Sequence, residues 1–264
     1  LSPEETAAIV EQALEEQLID EGTADFVIQF QQADLSQAYE LGLAERRQYV
    51  YETLKASAEE TQAEAIAYLE SRGLSYQSFF AGNELYVYAG DLQAANDLAE
   101  MQQAVAVRAV RDYVVDPTIS AGVQLDQINS LEWNIIDTGA PDFWGAFGVQ
   151  GDGVRVATLS TGVQPDHPAL AAKYACGANT ANPDCWLDAT ATCGDILCDD
   201  NGSGTQVTGV ILGDDGGANQ IGMAPNATWI ACRACVGGSC TLADINECAD
   251  WILAPNGNYL NAPD

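Results

Sequence analysis

The residues that could do chemistry are few. A serine hydroxyl is a poor nucleophile near neutral pH; it needs a histidine to take its proton and an aspartate to orient that histidine. The 264-residue chain has one histidine, His167, followed by Pro168, a setting that reads as structural rather than catalytic. Asp137-Thr138-Gly139 spells the triplet used by two-carboxylate peptidases, but that mechanism needs a second carboxylate in a partner motif, and none is found. The triplet therefore reads as a loop. Asp195, Asp199 and Asp200 are candidate calcium ligands by chemistry, yet their spacing is irregular and a solvated loop is the competing reading. Asn201-Gly202-Ser203 and Asn226-Ala227-Thr228 match glycosylation sequons, which matter only in a eukaryotic secretory route.

The eight cysteines are the sharper clue. Cys176, Cys185, Cys193, Cys198, Cys232, Cys235, Cys240 and Cys248 lie in one stretch, and the first 175 residues have none. An even count so crowded favours disulfides in an oxidising compartment. A zinc knuckle or a redox CxxC at Cys232–Cys235 competes, with irregular spacing and no nearby histidine against the first. Pairs such as Cys193–Cys198 are tempting, but sequence does not choose among the connectivities.

The formal charge is −30, with 22 acids against 6 bases in residues 1–120 and 17 against 3 in 121–264. Such a surface repels phosphate backbones and anionic lipid, so nucleic-acid and membrane-surface partners are excluded as expectations. It suits a soluble secreted or halotolerant protein. No apolar run reaches the ~18 residues a spanning helix needs. The chain opens on Leu1, which fits removal of a signal peptide or an excised fragment.

The positioning elements follow from pattern. Residues 2–20 read as an acidic helix with Ser2 as N-cap. In Asp25–Phe30, Phe26, Ile28 and Phe30 alternate onto one strand face. A long helix is expected over 43–71, capped by Gly73, then strands at 74–80 and 84–89, a helix at 91–101 and a strand at 104–110. From residue 24 this is β-α-β-β-α-β, the order of a ferredoxin-like α+β plait. Residues 116–130 read as an exposed linker and candidate proteolytic site. Beyond it come a strand at 151–159, a Cys/Asp/Gly/Asn-rich loop region at 176–204, a helix at 205–212 and a strand at 228–231. Thr241 caps a helix to 253 with Leu242, Ile245, Ala249 and Ile252 inward. Alternating strands and helices imply a parallel sheet. The expected divisions are 1–23, an acidic helical extension; 24–115, the plait; 116–130, the linker; and 131–264, the α/β domain.

Gly153-Val154-Arg155-Val156-Ala157-Thr158-Leu159-Ser160-Thr161-Gly162, continuing to His167-Pro168-Ala169-Leu170, resembles the first motif of subtilisin-like serine peptidases, G-V-x-V-A-x-x-D-T-G and then H-P-x-L. Asp200-Asn201-Gly202-Ser203-Gly204-Thr205-Gln206-Val207-Thr208-Gly209 resembles the second, D-x-x-G-H-G-T-H-V-x-G. Gln220–Pro225 looks like the family's G-V-A-P turn. Trp133-Asn134-Ile135 and Ile230-Ala231-Cys232-Arg233 are closest to its bacillopeptidase F-like branch.

The resemblance implies a secreted peptidase precursor: an inhibitor-type propeptide at 24–115, packing on the N-terminal part of a subtilisin-type parallel-sheet domain at 131–264. It implies protein or peptide substrates and no cofactor, apart from calcium as the one candidate. The family's catalytic aspartate position is Ser160 here, its catalytic histidine position Ser203, and the motif's second histidine Gln206. His167 falls on the non-catalytic H-P position. The nucleophile motif G-T-S-x-A would lie beyond Asp264. The expectation is an inactive relative, cut before its serine. The alternative is a non-enzymatic inhibitor or chaperone of the propeptide type carrying a disulfide-rich interaction domain. Residues 125–264 are expected to be marginal alone, leaning on the propeptide or on disulfides.

Overall fold

The computed structural model describes residues 9–115, 131, 133–216 and 221–264. The expected Ser2 cap and the 116–130 linker lie outside them. The chain divides into two compact units, parting between Asp112 and Tyr113.

In the first unit, β2 (Thr23–Phe30), β3 (Tyr76–Phe79), β4 (Glu84–Asp91) and β5 (Ala104–Ala109) pair antiparallel in the order β5-β2-β4-β3, with β1 (Ile9–Val10) added parallel to β5. That is the split β-α-β order of a ferredoxin-like plait. Phe26, Ile28 and Phe30 share one face as expected. They are buried with Leu85, Val87 and Val107 against Leu14 and Leu18 of α1 (Gln12–Glu21), Leu69 of α3 (Ala63–Arg72) and Leu98 of α4 (Leu92–Ala99).

Two expectations need correcting. The acidic segment is not helical up to residue 20 without a break: Ile9 and Val10 form β1 first, because their β-branched chains suit an edge and Glu11 N–H reaches Val107 O at 2.8 Å. The long helix is interrupted at Gln62, giving α2 (Leu43–Thr61) and α3. Gln62 is fully buried, and its Nε2 donates to Phe79 O (3.1 Å) and Asn83 Oδ1 (2.9 Å) while its Oε1 accepts from Ser78. A buried amide must be satisfied, and that requirement fixes where the helix turns. Gly73 caps α3 at φ +67°, as its position suggests.

In the second unit, β7 (Arg155–Ser160), β9 (Thr228–Arg233) and β8 (Trp186–Asp188) form a parallel sheet in the order β7-β9-β8. Its core gathers Leu170, Trp186, Leu212, Trp229, Ile230 and Cys232. A small antiparallel sheet joins β10 (Cys235–Val236), β11 (Ser239–Cys240) and β6 (Tyr113–Val114). Helices α5 (Trp133–Asp137) and α6 (Ala140–Phe147) precede β7; α7 (Ser203–Leu212) and α8 (Leu242–Leu253) follow.

Here too the sequence reading shifts. The first strand starts at Arg155, since Gly151 and Gly153 hold positive φ. β8 interrupts the expected loop; three residues are too few to show alternation. Asp137 ends α5 rather than sitting in a loop, and Gly139 is the N-cap residue before α6. Thr241 does cap α8, accepting Asp244 N–H at 3.1 Å. Its buried face centres on Cys248 and Trp251, with Ile245 and Ile252 packed beside them and Leu242 and Ala249 outside that core, because the helix is tied at Cys248 to β9.

Four disulfides staple this unit: Cys176–Cys185, Cys193–Cys198, Cys232–Cys248 and Cys235–Cys240. The two cysteines of the CxxC run thus belong to different bridges, which removes the redox and zinc readings. No described helix is long and apolar enough to cross a membrane.

Candidate functional site

The carboxyl ends of β7 and β9 and the amino end of α7 meet at one corner. In open parallel α/β sheets, ligands bind outside the carboxyl ends of the strands. Ser160 is the last residue of β7 and is buried; it lies opposite Arg233 in the ladder, and its carbonyl accepts Ala234 N–H at 2.9 Å. Ser203, also buried, is the first residue of α7 and follows Gly202 at φ +89°.

Their neighbours join them. Thr161 Oγ1 accepts Gly204 N–H at 3.0 Å and donates to Asp199 Oδ1 at 2.8 Å. Thr208, one turn into α7, donates to Thr158 of β7 at 3.3 Å. The approach is so close that a Cβ on Gly204 would fall 1.9 Å from Gly162 O, and one on Gly162, itself at φ +101°, 1.9 Å from Cys198 O. Only glycine fits either place.

Asp199 organises the loop. Oδ1 accepts from the N–H groups of Asn201 (3.2 Å) and Gly202 (2.8 Å), and Oδ2 from Thr205 N–H (2.9 Å) and Thr205 Oγ1 (2.5 Å). Burial pushes its pKa up, but the bonds from Thr205, Gly202 and Thr161 prevail and hold it below the usual carboxylate value. Counting back four residues from Ser203, the aspartate of the second motif falls on Asp199, not on Asp200. The capping geometry gives that aspartate its work.

Asp200 turns to Arg233 Nη1 (2.9 Å) and Gly237 N–H (3.1 Å), and the Arg233 bond leads in holding its pKa down. Arg233 is 1% exposed; it also donates to Thr161 O and lies 3.8 Å from the buried Asp188. Asp195 is exposed on its loop. The three carboxylates offered to calcium therefore have different surroundings, and among the described residues no group of three or more His, Cys, Asp or Glu side chains is arranged to hold a metal ion.

His167 stays in its own turn, with Nδ1 accepting Ala169 N–H at 3.3 Å. Gln206 is exposed on α7. Ser203 Oγ donates to Asn201 Oδ1. Neither serine can serve as base: a neutral hydroxyl does not take a proton near neutral pH.

One feature was not legible in the sequence. β6 pairs with β11 (Tyr113 opposite Cys240, Val114 opposite Ser239), and Val115 N–H reaches Gly238 O at 2.7 Å. A Cβ on Gly238 would lie 3.4 Å from both Asn201 Nδ2 and Val115 O, so this added strand ends beside the Ser203 loop. Two residues carry no strand pattern, and the pairing is long-range. Glycines at 237 and 238 were the available signal.

A parallel sheet whose strand ends meet a helix start at one corner defines an α/β protein with its candidate site at the strands' carboxyl ends. Residues 151–260 match the model of the subtilase family, Peptidase_S8. Bacillopeptidase F of Bacillus subtilis is 33% identical over 229 residues, covering 80% of this chain and 16% of that protein. The minor extracellular protease Vpr of Bacillus subtilis is 26% identical over 254 residues, covering 90% of this chain and 30% of its own length. The crystal structure of the epidermin leader peptide processing serine protease from Staphylococcus aureus superposes with a TM-score of 0.51 at 14% identity, over 89% of this chain and 48% of that one; at that identity it speaks to the fold alone. The chain belongs to the subtilisin-like serine peptidase family. It spans less than a third of the length of these two relatives.

Proposed function

We propose that this chain is the front part of a secreted subtilisin-type endopeptidase precursor that receives peptide in extended form and does not hydrolyse it. The carrying observation is the corner itself. By the motif resemblance Ser160 and Ser203 take the family's aspartate and histidine positions, and the Ser203 hydroxyl is spent on Asn201. In subtilisin itself, the reference case for this machinery, loss of the triad costs about 2 × 10⁶ in kcat. β11 takes the chain's own Tyr113–Val114 through main-chain bonds that any sequence can supply, which supports reception of an extended peptide in their place. Secretion is supported by four disulfides and by the extracellular relative.

A second reading, an inhibitor or chaperone of the propeptide type, is favoured by the plait topology of the first unit and its separate core. The plait unit goes with either reading, but it takes in α1 through Leu14 and Leu18 and ends at Asp112, rather than running 24–115 with a separate extension at 1–23. Assaying the chain as a titrating inhibitor of an active subtilisin-type enzyme, alongside its own hydrolysis of a chromogenic peptide, separates the two. Tight inhibition without hydrolysis supports the second; hydrolysis by the unaltered chain refutes both.

A further inference from the structure

The eight cysteines do not share one setting. Cys185, Cys232, Cys235, Cys240 and Cys248 are buried in the core of the second unit, and Cys176 and Cys198 pack against it. Cys193 is half-buried and lies outside that core. Its loop neighbours Thr192, Gly194, Asp195 and Ile196 are exposed, and a Cβ on Gly194 would meet nothing within 4 Å. A disulfide is opened by a thiolate that reaches one sulfur and drives the other off as a thiolate. In Cys232–Cys248 and Cys235–Cys240 both residues are buried, and attack at Cys176 would release a thiolate at Cys185, which is 2% exposed. Of the four bridges, Cys193–Cys198 alone has both residues reaching solvent.

This bridge restrains a cover over Arg233. Cys193 N–H donates to Asp188 Oδ2 at 2.6 Å, and Thr190 N–H to Asp188 Oδ1 at 3.1 Å. Arg233 Nε donates to Thr190 Oγ1 at 3.3 Å and Thr192 Oγ1 at 3.2 Å, so the loop helps to keep that guanidinium from solvent. Beyond the loop the chain is anchored without the bridge. Leu197 is buried with its N–H on Thr180 O at 3.1 Å, and Asp199 is held by the N–H groups of Gly202 and Thr205. Residues 190–196 are therefore the part that depends on it.

We infer that Cys193–Cys198 is a thiol-exchange site for a cationic or neutral thiol, and that its opening lifts the 190–196 loop from Arg233 while the sheet stays folded. The reagent thiolate bonds to Cys193 Sγ, and Cys198 leaves as a thiolate. A second thiol then attacks the reagent sulfur of this mixed disulfide, which frees Cys193 and yields the reagent's own disulfide. Two electrons pass from two thiols to the bridge, and their two protons end on the cysteines. Asp195 in the loop, and Asp199 and Asp200 after it, repel an anionic thiol on a chain of charge −30. Nothing in this depends on hydrolysis or on peptide reception.

The test exposes the whole native chain to excess cysteamine, mercaptoethanol or mercaptoacetate at equal thiolate concentration, alkylates freed thiols over time and locates them by mass spectrometry. Cys193 and Cys198 should be labelled before the other six, fastest with cysteamine and slowest with mercaptoacetate, and added salt should narrow that spread. In the opened protein, amide exchange at Thr190 and Cys193 should quicken by about tenfold, within the roughly 40-fold limit for so short a closed loop, while Gly202 and Thr205 are unchanged. A double variant, Cys193→Ser with Cys198→Ser, should reproduce that pattern; should it not fold, the native chain alkylated at these two cysteines carries the same measurement. Another pair labelled first or equally, a rate indifferent to reagent charge, or unaltered exchange at Thr190 and Cys193 after opening would overturn the inference.

Discussion

Arg233 donates through Nη1 to the carbonyl oxygen of Thr161 at 2.6 Å, which sets a buried guanidinium one residue from Ser160. The same side chain faces Asp188 and Asp200, so the end of β8 and two loops are tied through one cation.

Arg233→Met should destabilise the second unit by about 3–5 kcal/mol, because it strands the buried Asp188 carboxylate without its partner. Adding Asp188→Asn should return part of that loss. Denaturant melts of the two single variants and the double variant measure the coupling. Additive losses would show that the pair is not coupled.

Gly204→Ala forces a Cβ to within 1.9 Å of Gly162 O, backbone against backbone. The amino end of α7 must then move off β7, and a loss of about 1–3 kcal/mol is expected, as for other overpacked sites. Gly209→Ala, where a Cβ meets nothing within 4 Å, is the control and should be neutral or slightly stabilising.

Much of this was legible beforehand, for identifiable reasons. The plait could be read because Phe26, Ile28 and Phe30 alternate and Gly73 closes a helix, both local signals. The corner could be read because Ser160 and Ser203 sit in motifs whose flanking residues remain. What escaped was set by distant partners. The break at Gln62 depends on Ser78, Phe79 and Asn83; the capping role of Asp199 depends on Thr161; and β6 exists only through Ser239 and Cys240. Neither hydrophobic period nor residue propensity encodes such pairings.

Stability should rise as pH falls from neutral toward the upper carboxylate range, then collapse below it. Burial, followed by the charge of Asp188, raises the pKa of Asp244; burial, then Asp244 and Asp188, raises that of Glu247. A raised acid binds its proton more readily when folded, so stability falls as pH climbs from its unfolded value through its folded one. Asp199 and Asp200 are shifted down; their contribution is present above 3.8 and is lost as pH drops through their folded values. Melting temperature against pH checks the sign, and a monotonic rise up to pH 8 would contradict it. Added salt should raise the melting temperature at neutral pH by screening the −30 charge.

Reduction should affect the units unequally. The first 175 residues hold no cysteine, while the second unit has four bridges closing short loops, each worth about 2–3 kcal/mol in the chain-entropy view. With a phosphine reductant, hydrogen-exchange protection in β7–β9 should fall while that in β2–β5 persists. Equal loss in both would argue against disulfide dependence of the second unit.

The most direct measurement is hydrolysis of a chromogenic peptide by the longest form its gene encodes, with Ser160 and Ser203 in place and then with Ser160→Asp, Ser203→His and Gln206→His together. The account expects no turnover above the uncatalysed rate from the first, and turnover from the second where a family nucleophile is present. Hydrolysis by the unaltered protein, matched by the triple variant, would contradict it: the two serines would then not be what disarms the site.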